Sequence, residues 1–178
     1  MTAEAVVQLK PGRDKSLRRR HPWVFSGAVA RVSGTPNAGD TVTVVGADGA
    51  PLGLGAYSPH SQIRVRLWTF DARETVDAAF LAALVETAVA RRGEPREGGP
   101  WARRLVNAEN DGLPGLAVDR FGDYLVMQAG TLAIDRRKTQ LARLLLELTG
   151  CRGVIERSEL ARRRQEGLGP AAGLLAGN

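Results

Sequence analysis

Between Ile63 and Trp68 the side chains alternate strictly in character, and that period of two most narrowly limits what the chain can fold into. Ile63, Val65 and Leu67 fall on one face of an extended segment and Arg64, Arg66 and Trp68 on the other, a division that a helix does not reproduce. Thr41–Val45 and Leu52–Tyr57 are β-prone runs flanking Ala47-Asp48-Gly49-Ala50, and an Asp-Gly step between two apolar runs predicts a hairpin. Upstream, the brief apolar run Val6–Lys10 ends at Pro11-Gly12. Arg13–Arg20 then carries helix formers until Pro22 stops them, and Val24–Val32 reads as a short strand or turn structure. Several short strands closing on a common core predict a small β-barrel over residues 1–73.

The period then changes. From Thr75 to Arg92, Val76, Ala79, Phe80, Ala83, Leu84 and Ala88 recur at helical spacing, with Asp77 near the positive helix end. Gly93–Pro100 mixes Gly, Pro and charge, so residues 74–100 read as a helix and linker between two domains. In 101–178, Arg104–Ala108, Gly115–Asp119 and Tyr124–Ala129 are strand candidates, and Phe121-Gly122-Asp123 is a turn. A helix over Asp135–Thr149 carries a stripe of Leu141, Leu144, Leu145 and Leu148 and is closed by Gly150; Gly153–Glu156 is a further strand. The pattern allows β-β-β-α-β or β-β-α-β-β, with Gly167–Asn178 a loose Gly/Ala-rich tail.

At 178 residues, 43% of them hydrophobic and 25% charged, the chain can bury two compact lobes and has the composition of a protein that folds in water. No apolar stretch approaches the roughly 20 residues of a membrane helix, and Met1–Lys10 lacks a signal-peptide layout, so a cytoplasmic location is expected. Cys151 is the single cysteine, which excludes an internal disulfide. With only His21 and His60 besides, no metal site is expected, and Cys151 reads as a small buried residue.

Twenty-five Lys and Arg against nineteen Asp and Glu give a net charge of +6, the sign expected of a polyanion binder. Arg outnumbers Lys 22 to 3 in a chain rich in Ala and Gly, a pattern that coding bias also produces, so the distribution of charge has to carry the argument. The densest segment is Lys10–His21, where Lys10, Arg13, Lys15, Arg18, Arg19, Arg20 and His21 face one acid, Asp14. On a helix Lys15, Arg18 and Arg19 share a side, and their fields add where a phosphate backbone could run. These seven residues are assigned to RNA contact, joined by Arg64 and Arg66 on the polar face of their strand. Trp23 and Phe25, which follow directly, are assigned to the core.

Three other motifs carry no chemistry. His60 lies in a Ser-Pro-His-Ser turn with no acid or nucleophile spaced for a relay. Glu109-Asn110-Asp111-Gly112-Leu113-Pro114-Gly115 has too few oxygen ligands for calcium and fits a rigid turn. Gly53-Leu54-Gly55 lacks the third glycine and the following helix of a dinucleotide fingerprint, so no catalytic, metal or cofactor-binding residue is assigned.

Taken in order, Leu9-Lys10-Pro11-Gly12-Arg13 and Arg20-His21-Pro22-Trp23-Val24-Phe25-Ser26-Gly27-Ala28 resemble the opening of the bacterial S-adenosylmethionine-dependent large-subunit rRNA (cytosine-5) methyltransferases. The run from Arg104 to Phe121 resembles that family's middle segment and Val154-Ile155-Glu156-Arg157-Ser158 its close, so the resemblance extends through most of the chain.

The resemblance implies an α+β chain: an N-terminal PUA domain, a small RNA-binding β-barrel, followed by a β-β-α-β-β middle domain. In the family a Rossmann-like methyltransferase domain with the S-adenosylmethionine site and catalytic cysteines comes next. Here Glu166–Asn178 resembles the approach to it, and the catalytic domain is expected to be absent. Cys151 lies outside the catalytic region. The expectation is therefore the rRNA-recognition portion of a 23S rRNA 5-methylcytosine methyltransferase, inactive alone and holding no cofactor itself; a free-standing PUA-type RNA-binding accessory protein is the alternative.

Overall fold

The computed structural model describes residues 5–93, 102–159 and 161–178. Met1–Asp77 with Gln165–Gly167 make one compact unit, and Ala78–Arg164 with Leu168–Asn178 make the other.

The first unit is built on strands β1 (Val6–Leu9), β2 (Trp23–Phe25), β3 (Val29–Ser33), β4 (Thr41–Val45), β5 (Pro51–Tyr57) and β6 (Ile63–Thr69), with the single-turn helix α1 (Lys15–Arg18) between β1 and β2. Their order in the sheet is β2-β6-β5-β4-β1-β3, which places β2 and β3 at its ends. All neighbours are antiparallel except β1 and β4. The alternation of the sequence becomes the two faces of this sheet, although Trp68, on the face of Arg64 and Arg66, is buried as well. Val7, Leu9, Leu17, Val24, Val42, Val44, Val65 and Leu67 form its buried core.

The expected hairpin joins β4 to β5. Gly49 takes φ 83°, open to glycine at no steric cost, while the Gly46 amide donates to the Ala50 carbonyl at 2.8 Å and the Ala50 amide to the Asp48 carboxylate at 3.0 Å.

In the second unit helix α2 (Ala78–Arg92) precedes strands β7 (Ala102–Asn107), β8 (Leu116–Phe121) and β9 (Tyr124–Ala129). Short α3 (Leu132–Asp135) and longer α4 (Lys138–Thr149) follow, then β10 (Gly153–Ser158), α5 (Ala161–Gln165) and β11 (Ala171–Gly177). The sheet order is β11-β10-β9-β8-β7. Only β9 and β10 are parallel, and α3 and α4 supply the crossover such a pair requires. Leu81, Val85 and Ala88 of α2 and Leu141, Ala142 and Leu145 of α4 are buried, and the two helices pack together. Cys151 is a buried free thiol.

This architecture corrects the expected β-β-α-β-β order. Three strands precede the helices and two follow, and residues 171–177, read as a loose tail, form β11 antiparallel to β10. The tail was missed because Ala-Ala-Gly-Leu-Leu-Ala-Gly neither alternates nor contains β-branched residues; its extended form comes from pairing with β10. Residues 78–92, placed with the linker, belong to the second unit because their apolar stripe packs on α4 and β7. Beyond Gly93, the linker reading falls outside the described residues.

The turn after β7 is fixed by one carboxylate. Arg92 donates from both terminal nitrogens to Asp111, at 2.7 and 2.8 Å, and the Asn107 amide donates to the same carboxylate at 2.6 Å. Burial pushes the Asp111 carboxyl up, but the Arg92 fork and the Asn107 amide outweigh it, and its pKa lies below the ordinary 3.8. Because the folded value is depressed, the stabilisation is present above the ordinary value and is lost as pH falls through the folded one. Asp111→Asn keeps the shape and removes the charge. We expect it to lower stability by about 1.5–3 kcal/mol at pH 7, and by less as the pH falls below 3.8, as read from urea unfolding of both proteins at pH 7 and pH 3.

Candidate nucleic-acid interface

The basic segment folds as a tight excursion from the end of β1 to the start of β2. The Arg13 amide donates to the Lys10 carbonyl at 3.1 Å, α1 makes one turn with Leu17 pointing into the core, and the His21 amide donates back to the Ser16 carbonyl at 3.0 Å. Anchoring Leu17 inside turns the rest of α1 outward. Lys10, Arg13, Lys15, Arg18, Arg19, Arg20 and His21 are all exposed.

Their partners differ. Lys10 Nζ donates to the Gly27 carbonyl at 3.1 Å. Arg18 Nε donates to Asp14 at 2.6 Å, and that hydrogen bond holds the Asp14 carboxyl below its ordinary value. Arg13, Lys15 and Arg19 make no ion pair among the described residues. The Arg20 guanidinium lies 5.0 Å from the centre of the Phe70 ring, and its backbone has φ 64°, a left-handed conformation that costs a residue with a Cβ roughly 1–2 kcal/mol.

Arg64 and Arg66 have partners within the first unit, although Arg66 lies opposite Trp23 in the β2–β6 register. Arg64 Nη1 donates to the Pro59 carbonyl. Arg66 Nη1 lies 2.6 Å from Glu166 Oε1, while Ser58 Oγ donates to Glu166 Oε2 at 2.7 Å, and Glu166 is buried. A buried carboxylate needs both partners, so Arg66 is committed to neutralising Glu166.

The ring-bearing residues are placed opposite to expectation. Val24 is the member of β2 that enters the core; Trp23 is half-buried and Phe25 is 50% exposed. His21 and Trp23 meet edge to face with centroids 5.3 Å apart, and Trp23 and Phe25 do so at 6.2 Å. Since side chains of a strand alternate, the burial of Val24 alone puts its two neighbours on the outer face.

Residues 7–70 match the PUA-like domain family. The chain is also similar to curated relatives named ribosomal RNA large subunit methyltransferase I. It is 49% identical to that of Shewanella denitrificans over 96% of this chain and 44% of the relative, and 42% identical to that of Pseudoalteromonas translucida over 98% and 44%. It thus spans less than half the length of the curated relatives it matches. A structure assigned as a SAM-dependent methyltransferase from Streptococcus mutans superposes with a TM-score of 0.78 at 14% identity, over 97% of this chain and 43% of that one. A second methyltransferase structure, complexed with SAH, superposes with a TM-score of 0.72 over 86% and 40%.

These superpositions correct the fold class. The chain was expected to pair a β-barrel with a β-β-α-β-β domain and to lack the methyltransferase fold. Instead, nearly its whole length shares its fold with SAM-dependent methyltransferases, and the shared portion includes the five-stranded sheet over residues 102–177. The absence of a catalytic fold is therefore withdrawn.

The cofactor of such relatives was tested against the glycine pair of β5. A Cβ at Gly55 would stand 2.6 Å from Val65 Cγ1 and 2.7 Å from the Arg66 carbonyl, and one at Gly53 would stand 2.3 Å from the Thr69 carbonyl. The space these glycines leave is filled by β6 itself, so they serve strand approach and do not fit an adenosyl cradle. Among the described residues no group of three His, Cys, Asp or Glu side chains could hold a metal, and no helix is long and apolar enough to cross a membrane.

Arg20 yields a test that separates stability from surface chemistry. Arg20→Gly relieves a left-handed strain of about 1–2 kcal/mol and removes a cation–π contact of about 0.5–1 kcal/mol. The thermal midpoint should hold or rise slightly although the surface loses a cation, as differential scanning calorimetry of the two proteins reads.

Proposed function

We propose that the chain binds large-subunit ribosomal RNA through its PUA-like unit and takes part in S-adenosylmethionine-dependent methylation of that RNA. The observation that carries the reading is the exposed cluster of Lys10, Arg13, Lys15, Arg18, Arg19, Arg20 and His21, wrapped around one buried leucine inside the segment that matches a PUA-like domain. Phosphates are the ligands such a cluster suits, since each cation that pairs with one releases condensed counterions. Similarity to the rRNA large subunit methyltransferases supplies the substrate class, and the likeness to SAM-dependent methyltransferase structures supports the reaction class. Within that class we take the accepting atom to be C5 of a cytosine in 23S rRNA, on the strength of the motifs from Leu9 to Ala28 and from Arg104 to Phe121. Cytoplasmic residence follows from that substrate. No observation favours the free-standing accessory protein.

The contribution of this chain's residues is binding and orientation. Arg13, Lys15 and Arg19 lie outside ion pairs among the described residues and give the electrostatic hold, whereas Arg18 shares its charge with Asp14. The test replaces the three together, Arg13→Ala, Lys15→Ala and Arg19→Ala, all exposed and so harmless to the core. Titrated with a structured rRNA fragment at several salt concentrations, the variant should bind more weakly. Its salt slope should be flatter by about 0.7 log units for each single-strand phosphate that is no longer neutralised. A folded variant with the affinity and slope of the parent would place the RNA site elsewhere.

A further inference from the structure

The outer face of β2 holds the largest surface feature that phosphate binding leaves unexplained. Trp23 and Phe25 occupy alternate positions of β2, His21 stands two residues before Trp23, and the three rings contact each other edge to face in sequence, while Val24 is buried. Among the described residues β2 is hydrogen-bonded as a strand only to β6, and no further strand of the sheet covers its open side. Phe25, at the end of the row, is half exposed although a phenyl ring has nothing to gain from water.

The row's setting is cationic. α1, with Lys15 and Arg18 and followed by Arg19, packs against β2, and the His21 amide is tied to the Ser16 carbonyl. At the far end Lys10 Nζ is held at the Gly27 carbonyl, two residues past Phe25. A fixed ring flanked by cations on both sides suits a ligand that offers a flat π-face and a phosphate backbone together. The edge-to-face contact with Trp23 holds Phe25 in place without covering it, so little side-chain freedom is left to lose on binding.

We propose that this row stacks on unpaired bases, so that the RNA taken by the basic face is single-stranded or looped at the point of contact. The inference rests on the RNA-binding reading above and narrows its substrate. In a continuous A-form duplex the faces of the bases are covered by their neighbours and only backbone and groove edges are offered; in a loop or single strand the faces are open.

The experiment compares three probes: an unstructured mixed-sequence RNA, its fully paired blunt duplex, and an abasic strand of the same length that keeps the phosphates. The parent protein should prefer the single strand over the other two. Phe25→Ala, exposed and outside the core, should weaken single-strand binding by about 5- to 100-fold, the effect of removing one ring from under one stacked base. It should leave duplex and abasic binding and the salt slope unchanged, and Phe25→Tyr, which keeps the ring, should restore affinity. If Phe25→Ala binds the single strand as the parent does, or the parent binds the abasic strand equally well, the stacking proposal falls while RNA binding through the cations stands. If the parent binds none of the three probes, both readings fall.

Discussion

The pairing of Val24 with Val65 decides what the surface of the first unit can do. β2 and β6 meet there in antiparallel register with both valines in the core. Side chains of a strand alternate, so that single core contact sends Trp23 and Phe25 outward together, and His21, just before the strand, meets the edge of Trp23. A slip of one residue would bury the rings and expose the valine. The tie from His21 to Ser16 then brings the one turn of α1 alongside, and the cations and the rings become neighbours without any contact between their side chains being required.

A net charge of +6 says little about where a polyanion binds, because most arginines with nearby carboxylates are occupied. In the second unit Arg92 is held by Asp111, Arg104 by Asp119 at 2.9 Å, and Arg163 by Asp135 at 2.9 Å. In the first unit Arg66 is held by Glu166. The segment around α1 differs because Asp14 is the one acid close in sequence, and Arg18 takes it. Its remaining cations keep their fields directed at solvent, where screening still permits attraction over about a Debye length of 8–10 Å.

The parts of the fold that were readable from the sequence are those whose information is local. Alternation in 63–68 and the Asp48-Gly49 step gave β6 and the β4–β5 hairpin, and helical spacing gave α2 and α4, although α2 buries Leu81, Val85 and Ala88 and leaves Ala79 and Ala83 of the expected stripe exposed. Where the deciding partner is distant, the reading failed. Arg66 looked like a surface cation because Glu166 lies 100 residues away, and residues 171–177 looked loose because their order comes from β10. Phe25 was assigned inward because hydropathy does not say which face of a short strand meets the core; the alternation with Val24 was the available signal. The basic cluster was legible as a cluster, whereas the commitment of Arg64 to the Pro59 carbonyl and of Arg66 to Glu166 was not.

Strand β11 has a colloidal consequence. It is an edge strand of seven residues, Ala171 to Gly177, with no charge and no proline, and Leu174 is 58% exposed. Edges of this kind are normally guarded by lysines or prolines, since open amide and carbonyl groups invite a second strand to add. Here the guard is conformational. Gly173 sits at φ 138° and the ladder to β10 shifts register between Val154 and Ile155, so β11 is not a straight template. Among the described residues, backbone irregularity rather than a charged side chain is what sets this edge apart from the straight template a further strand would need.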